Sequence, residues 1–555
     1  MIFSAFLKCL FLLLILFAGS VSTFQVQLQQ DNQEPRISTE NGIIGGFDNS
    51  GVYTFKGIPF AQPPEGNLRW KEPQPVQDWD GVLETKGFRN MCMQLPVFGD
   101  MNFRASGMSE DCLYLNIWSP AKSADEKLPV LVYYYGGGFI AGDGSEGRYD
   151  GESMARNKGI ISITVNYRLG IFGFYAHPDL SAESPNNSSG NYGLLDQAKA
   201  LQWVKDNIAA FGGDPHNITI AGESAGSIAV SALMASPLSR DLIAGAIGES
   251  GSILGALPPV SLEEGERNGA AFADNLTAAS INELRSLPAE ELLQAAGQPG
   301  TPRFAPTVDG YFFPKAPLAI FEAGEQADVP LFVGWNSQEM NHRMIMGDDD
   351  PNPEKYAEKI RGLYGEHASR VMELYPGSST DEVLQSATDL AGDRFIAFST
   401  WKWSDLHSKT GSSPVYRYYY AKPRPPMKEK YAGQQPGLAG GMQDAEEPEE
   451  ESESISGPEG AVHAAEIEYI MGNLHHNDVF AWTEDDVRVS DIFQNYAANF
   501  VKNLDPNGAG VPEWSAINHG ETPKIIYINE ETRLIDEIHR ERYRFLDRLS
   551  GAETE

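Results

Sequence analysis

Cysteine and positive charge are both scarce in this sequence. Its 555 residues include three Cys, and 42 Lys and Arg stand against 77 Asp and Glu, which gives a net charge of −35. So acidic a chain repels nucleic acid and anionic membrane surfaces, and we expect neither as a partner. The three Cys show no Cys-x-x-Cys or related spacing, so a cysteine-based metal site is excluded, and no metal is predicted.

An apolar run occupies residues 9–18, near the N-terminus. It follows Lys8, is too short to span a membrane comfortably, and precedes the small residues Gly19 and Ser20. This pattern predicts a secretory signal peptide over residues 1–22, with a signal anchor as the alternative. We therefore expect a secreted protein, extracellular or periplasmic, with no membrane span once the signal is removed.

From residue 113 onward, short apolar runs alternate with helix-like segments. The runs are residues 128–135, 160–165, 218–221, 329–333, 415–420 and 525–528. Near-continuous apolar runs are typical of strands that are covered on both faces, so they predict an α/β fold with a central, mostly parallel sheet flanked by helices. Apolar residues recur at helical spacing over residues 194–211, which predicts an amphipathic helix ending at Gly212.

Residues 421–460 break this pattern. They begin with several prolines, continue with a glycine-rich piece and end in a run of glutamates. Such a composition cannot bury a core and predicts a mobile acidic loop. Strand signals resume beyond the segment, near Ile525, so residues 23–555 are predicted to form one domain with insertions rather than two domains joined by a linker.

The sequence Gly222-Glu223-Ser224-Ala225-Gly226 lies between a predicted strand and a predicted helix over residues 225–235. A strand that turns directly into a helix forces its apex residue into strained backbone, and flanking glycines leave room for the turn. The Ser224 hydroxyl would then project above the sheet as a nucleophile, with a helix N-terminus behind it. A small-residue turn without chemistry is the alternative, and the surrounding motifs must decide.

An acyl-transfer serine also needs donors for the oxyanion that forms in the reaction. Three successive glycines, Gly136 to Gly138, follow a predicted strand and offer amides that a ligand oxygen can approach without a side-chain clash. We expect Gly137, Gly138 and the amide of Ala225 to form a three-donor oxyanion hole. A merely flexible turn is the alternative.

At these residues the chain resembles the type-B carboxylesterase family, the cholinesterase-like branch of the α/β-hydrolases. Besides the glycine run and the serine turn, the resemblance rests on residues 55–61, 109–118, 165–170, 190–197 and 211–215. The motifs follow the family order over residues 38–255, and more weakly to about residue 530. The resemblance implies an α/β-hydrolase fold and a serine carboxylesterase that cleaves small-molecule esters through an acyl-enzyme, with no cofactor.

The family order of nucleophile, acid and histidine then implies the other two members of a catalytic triad. His463 stands in a segment that matches the family's histidine motif, Gly-Ala-Val-His-Ala-Ala-Glu. Glu339 follows a predicted strand, as the family's acid does, although Met340 replaces the glycine usually found next to it. Asp309 and Asp393 remain alternatives for the acid, whose role is to orient and stabilise the imidazole.

Two further assignments concern residues near this set. Ser250 lies in Gly-Glu-Ser-Gly-Ser, which lacks the last glycine of the nucleophile motif, so the resemblance implies a hydrogen bond to the triad rather than catalysis. Removal of the signal takes Cys9 away and leaves Cys92 and Cys112 as an even pair. In an oxidising compartment we expect these two to form a disulfide, with two free thiols as the alternative.

Two rival functions share these features. A catalytically silent adhesion module is one, since the family contains such members, but they typically lack a triad residue and this chain has all three candidates. An amide or carbamate hydrolase is the other, and nothing in the triad separates it from an esterase. The natural substrate and the oligomeric state are not predicted.

Overall fold

A computed structural model describes residues 34–99, 101–255, 257–278, 280–431, 433–437, 442–444, 459–517 and 522–552. The predicted signal peptide and residues 445–458 of the predicted acidic loop lie outside these ranges. No helix in the described ranges is both long and apolar enough to cross a membrane.

The described strands, in chain order, are β1 (Arg36–Thr39), β2 (Gly42–Gly45), β3 (Phe47–Asn49), β4 (Val52–Pro59), β5 (Val82–Glu84), β6 (Tyr114–Ser119), β7 (Leu128–Tyr134), β8 (Ile161–Val165), β9 (Gly213–Glu223), β10 (Gly245–Glu249), β11 (Val260–Ser261), β12 (Thr307–Val308), β13 (Leu331–Asn336), β14 (Val415–Tyr420), β15 (Gln434–Pro436), β16 (Met442–Asp444), β17 (Lys524–Ile528) and β18 (Arg533–Asp536). Eleven of these form one sheet, in the order β18-β17-β14-β13-β10-β9-β7-β8-β6-β4-β3. Its central part, from β8 to β17, is parallel, and antiparallel strands complete both edges.

The described α-helices are Glu152–Lys158, Gly170–Phe174, Pro178–Glu183, Tyr192–Asn207, Ala225–Ala235, Leu262–Asn275, Ile281–Ser286, Ala289–Ala296, Pro317–Glu322, Arg343–Met346, Pro353–Tyr364, Ala368–Leu374, Thr380–Gly392, Phe398–Thr410, Ile467–Met471, Glu484–Asn503 and Arg540–Ala552. A π-helical turn at Asp393–Ala397 joins two of them. The helix Tyr192–Asn207 continues as a 3₁₀ turn to Phe211 and ends at Gly212, whose φ of 83° suits a residue without a Cβ.

The predicted α/β-hydrolase fold with a mostly parallel central sheet is confirmed. Each apolar run predicted as a strand coincides with one, and the run at residues 218–221 belongs to the longer strand β9. Val132 on β7, Ile220 on β9 and Phe332 on β13 are fully buried within one large core. Because both faces of these strands are covered, the sequence shows continuous apolar runs there instead of alternation.

The parallel strands place several chain turns at one edge of the sheet. β7 runs into the glycines that begin at Gly136, and β9 runs directly into the helix Ala225–Ala235. β13 ends three residues before Glu339. Carboxyl ends of neighbouring parallel strands meet at one edge, which is where open α/β sheets bind their ligands.

The described start of the predicted acidic loop is anchored to the chain beyond it. Lys428 donates its backbone N–H to the carbonyl of Val479 at 2.9 Å. Pro426 accepts from the N–H of Ala481 at 3.0 Å. The loop therefore starts beside the segment that follows the histidine motif, while its glutamate run is outside the described residues.

Candidate active site

Ser224 lies at the apex between β9 and the helix Ala225–Ala235. Its backbone has φ 55° and ψ −120°, a strained conformation for a residue with a side chain. The amide of Ser224 donates to the carbonyl of Glu249 at 2.9 Å, which ties the apex to the neighbouring strand β10. Ser224 is partly exposed, whereas the residues on either side of it in the chain are buried, so its hydroxyl is accessible to a ligand.

Two flanking glycines are required by how closely the chain passes β7. A Cβ on Gly222 would lie 2.6 Å from the carbonyl oxygen of Tyr134, closer than side-chain carbons approach. A Cβ on Gly226 would overlap the same oxygen. Any side chain at either position would therefore push the apex away from the sheet.

The glycine run after β7 passes next to Ser224. A Cβ on Gly136 would lie 3.1 Å from the Cβ of Ser224. Gly137 and Gly138 have φ values of 108° and 63°, which glycine adopts without strain. In the described part of the chain, no hydrogen bond uses the N–H of either residue. The N–H of Ala225 also has no partner within its helix, because Ala225 is the first helical residue.

His463 is held by Glu339. Its Nδ1 lies 2.7 Å from Oε2 of Glu339, and the imidazole is only 5% exposed. The other carboxylate oxygen of Glu339 accepts from the hydroxyl of Ser250 at 2.6 Å and from the backbone N–H of Asn336 at 2.6 Å. Glu339 is thus fixed by two donors while it orients the histidine.

The loops that carry the acid and the histidine are joined by backbone contacts. Gln338 donates its N–H to the carbonyl of Ala461 at 2.9 Å, and the amide of Ala461 donates to the hydroxyl of Ser337 at 2.9 Å. Phe395 packs edge-on against the His463 ring, with centroids 5.1 Å apart. These contacts fix the relative position of two residues that are far apart in the sequence.

The alternative acids do not reach the histidine. Asp309 accepts the backbone N–H groups of Tyr311 and Phe313, and Asp393 accepts the hydroxyl of Tyr375 at 2.7 Å. Neither contacts His463, whereas Glu339 does. Met340, which departs from the family pattern, packs against the core formed by the helices after β13 and leaves Glu339 in reach of the imidazole.

Glu223, for which no role was predicted from the sequence, also contacts the histidine. Its Oε1 lies 3.2 Å from Nε2 of His463, on the opposite side of the ring from Glu339. Within the described residues, no hydrogen bond joins Ser224 and His463, so Glu223 stands next to the nitrogen that would serve the serine. A charged residue at the buried end of a strand, inside the Gly-x-Ser-x-Gly motif, was the sequence signal for it.

The histidine lies within a group of buried carboxylates. Burial alone would lower the pKa of His463, but Glu223 and Glu339 raise it to about 9. Burial raises the pKa of Glu223 to about 8, against the opposing effect of His463. Among the described residues, Glu466 makes no hydrogen bond to the histidine, and its carboxylate accepts one from the side chain of Asn336 at 2.5 Å. Burial and the charge of Glu339 raise the pKa of Glu466 to about 7.

One cavity brings the candidate residues together. Ser224, His463, Glu223 and the glycines from Gly136 to Gly138 line it, and its empty space is about 660 Å³ including the open mouth. The rest of its wall is largely apolar and includes Phe98, Met101, Ile228, Leu257, Phe395 and Ile396. Phe98 and Met101 belong to the segment that the Cys92–Cys112 disulfide closes in the structure. Ala225 lies behind Ser224 and is fully buried.

Residues 33–546 match the sequence profile of the Carboxylesterase family. The chain belongs to this family. It is 34% identical over 495 residues to the fumonisin B1 esterase of Sphingopyxis macrogoltabida, covering 86% of this chain and 82% of that protein. It is 31% identical over 522 residues to the para-nitrobenzyl esterase of Bacillus subtilis, covering 91% and 97%.

Solved structures of carboxylesterases share the fold. A PNB esterase structure superposes with a TM-score of 0.72 at 30% identity, over 92% of this chain and 99% of that one. The Geobacillus stearothermophilus carboxylesterase gives a TM-score of 0.74 at 30% identity, over 92% and 99%. This carboxylesterase is thus an enzyme of the carboxylic-ester hydrolase class, with the α/β-hydrolase fold.

Proposed function

We propose that Ser224, His463 and Glu339 form a catalytic triad that hydrolyses carboxylic esters through an acyl-enzyme. The observation that carries this proposal is the 2.7 Å contact between Nδ1 of His463 and Glu339, in a cavity that Ser224 also lines. Nε2 is then the ring nitrogen left for the serine, and it lies 3.2 Å from Oε1 of Glu223. A nucleophile, a base and an orienting acid in this arrangement are the parts that acyl transfer requires.

The reaction divides into two steps with one proton carrier. Oγ of Ser224 attacks the acyl carbon while Nε2 of His463 takes the serine proton and then gives it to the leaving alkoxide. Water then attacks the acyl-enzyme, loses its proton to Nε2, and the proton returns to Oγ as the carboxylic acid leaves. Glu339 keeps Nδ1 protonated and stabilises the imidazolium in both steps.

The amides of Gly137, Gly138 and Ala225 stabilise the tetrahedral oxyanion. All three N–H groups are free of partners within the described structure or their own helix, so no existing bond has to break when the oxyanion forms. The helix that begins at Ala225 adds the positive end of its dipole. Preformed donors of this kind typically contribute about 10²–10³ in rate each.

The cavity favours neutral esters with apolar groups on either side of the ester bond. Its wall beyond the reactive residues is mostly hydrocarbon and aromatic, which stabilises apolar substituents and excludes water. The relatives named above are esterases by name, and they support ester hydrolysis rather than amide or carbamate hydrolysis as the activity. Residues 1–22 act as an export signal, and residues 23–555 form the secreted enzyme as one catalytic domain with an acidic loop.

An organophosphate ester tests this assignment. Diethyl p-nitrophenyl phosphate reacts with a serine only where base and oxyanion donors activate it. We expect complete loss of esterase activity with one phosphoryl adduct per chain, which peptide fragmentation places on Ser224. An adduct on Ser250 or on a different serine, or inactivation without an adduct, would refute the assignment.

A further inference from the structure

A second cavity adjoins the segment closed by the disulfide. Met93, Leu95 and Val97 line it, whereas Phe98 and Met101 of the same segment line the cavity of Ser224. The two cavities share no lining residue in the described part of the chain. Different residues of the segment after Cys92 therefore line two separate cavities.

The second cavity is apolar and open to solvent. Its walls include Ile140, Ile171, Leu293 and Phe304, and its empty space is about 660 Å³ including the mouth. Val97 is 49% exposed and Ile140 is 36% exposed, although large apolar side chains are mostly buried elsewhere in the described structure. Apolar surface that stays exposed around a concave site is typical of ligand binding.

A single cation stands at this apolar site. Arg303 lines the cavity and is exposed, and the described residues give it no acidic partner and no hydrogen bond. Partial burial lowers the pKa of Arg303, and no carboxylate of the described residues offsets this effect. The chain has 77 acidic and 42 basic residues. A guanidinium that lies beside apolar side chains, with no acidic partner among the described residues, is therefore not explained by a surface ion pair.

We propose that this cavity binds a medium-chain aliphatic carboxylate, with the alkyl chain along Leu95, Ile140 and Leu293 and the carboxylate on Arg303. A guanidinium pairs with a carboxylate through two parallel hydrogen bonds, and the apolar walls stabilise the methylene groups. Such an acid is the product that hydrolysis of an apolar ester releases. The site is separate from the cavity of Ser224 and goes beyond the proposed function.

The position of the cavity predicts an effect on turnover. Ile140 follows Gly138 by two residues, and Gly170, which also lines the cavity, donates its N–H to the carbonyl of Phe139 at 2.8 Å. A bound chain therefore contacts the far side of the loop that carries the proposed oxyanion donors. We expect the acid to change kcat for a short ester without competing for the cavity of Ser224.

Calorimetric titration with dodecanoate, below its micellar concentration, tests the site, and 1-dodecanol serves as the uncharged probe. Arg303→Gln should weaken dodecanoate binding about tenfold or more and leave dodecanol within twofold. The matched control is Arg361→Gln, which removes an exposed arginine from the helix Pro353–Tyr364 and should change neither ligand. Ala296→Phe should fill the cavity and abolish binding of both probes.

Each result decides the proposal. Equal dodecanoate binding by the Arg303 and Arg361 variants, or full binding by the Ala296 variant with an unchanged Tm, would overturn it. So would competitive inhibition of p-nitrophenyl acetate turnover that Arg303→Gln leaves unaltered. The proposed function is tested separately by turnover of p-nitrophenyl acetate without dodecanoate and by labelling of Ser224. None of the three substitutions replaces a residue of the proposed triad.

Discussion

Glu223 and His463 are in direct contact, with Oε1 3.2 Å from Nε2. Glu339 contacts the other ring nitrogen, so the imidazole lies between two carboxylates. This arrangement stabilises the imidazolium, and a protonated Nε2 cannot take the proton of Ser224. Activity should therefore rise with pH as the histidine loses its proton.

Replacing Glu223 tests this contact. Glu223→Gln removes a charge that raises the pKa of His463, so the neutral base becomes available at lower pH. We expect the acid limb of the kcat/KM profile to move down by about one pH unit. Glu249→Gln is the control, since Glu249 is equally buried but does not contact the imidazole. An unmoved limb in Glu223→Gln, or an equal shift in both variants, would contradict this account.

The role of Glu339 as the proposed triad acid can be tested against a neighbouring carboxylate. Glu339→Gln should lower kcat by about three orders of magnitude with little change in KM, because the imidazole loses its orientation and its stabilising charge. Glu466→Gln, which leaves the contact between His463 and Glu339 in place, should cost far less. Steady-state kinetics with p-nitrophenyl butyrate compares them, and a larger loss in Glu466→Gln would reassign the acid.

The serine turn was predictable because its parts are local in sequence, whereas Glu339 and His463 were predicted from the resemblance to the family. The strand β9, the turn at Ser224 and the helix after it follow one another without a break, and strong apolar patterns mark each. β10 was not predicted, because Gly-Ala-Ile-Gly-Glu contains neither a long apolar run nor more than one β-branched residue. The contact of Glu223 with His463 was also not predicted, since it depends on how loops 240 residues apart meet above the sheet.

The serine turn predicts a contrast between two glycines. Gly226→Ala places a Cβ against the carbonyl of Tyr134 and should cost about 3 kcal/mol of stability, together with most of the activity. Gly362→Ala meets open space on an exposed helix and should raise stability by about 0.5–1 kcal/mol. Differential scanning calorimetry measures both, and a tolerated Gly226→Ala would mean that the turn lies farther from β7.

The disulfide predicts a loss of stability on removal. Replacing Cys92 and Cys112 together by Ser frees a loop with a sequence separation of 20, which costs about 3 kcal/mol by chain entropy. The freed segment carries Phe98 and Met101, so KM for apolar esters should rise as well. Denaturant unfolding of both proteins under oxidising conditions checks the first effect, and an unchanged midpoint would contradict it.

Two serine variants test most directly whether Ser224 is the nucleophile. Ser250 is buried nearby and donates a hydrogen bond to Glu339, so Ser250→Ala should lower kcat/KM for p-nitrophenyl butyrate only about tenfold. Ser224→Ala should lower kcat/KM by at least about 10⁴-fold, with an unchanged circular dichroism spectrum and Tm. Activity of Ser224→Ala within tenfold of the unmodified enzyme, in a preparation free of other esterases, would contradict the account.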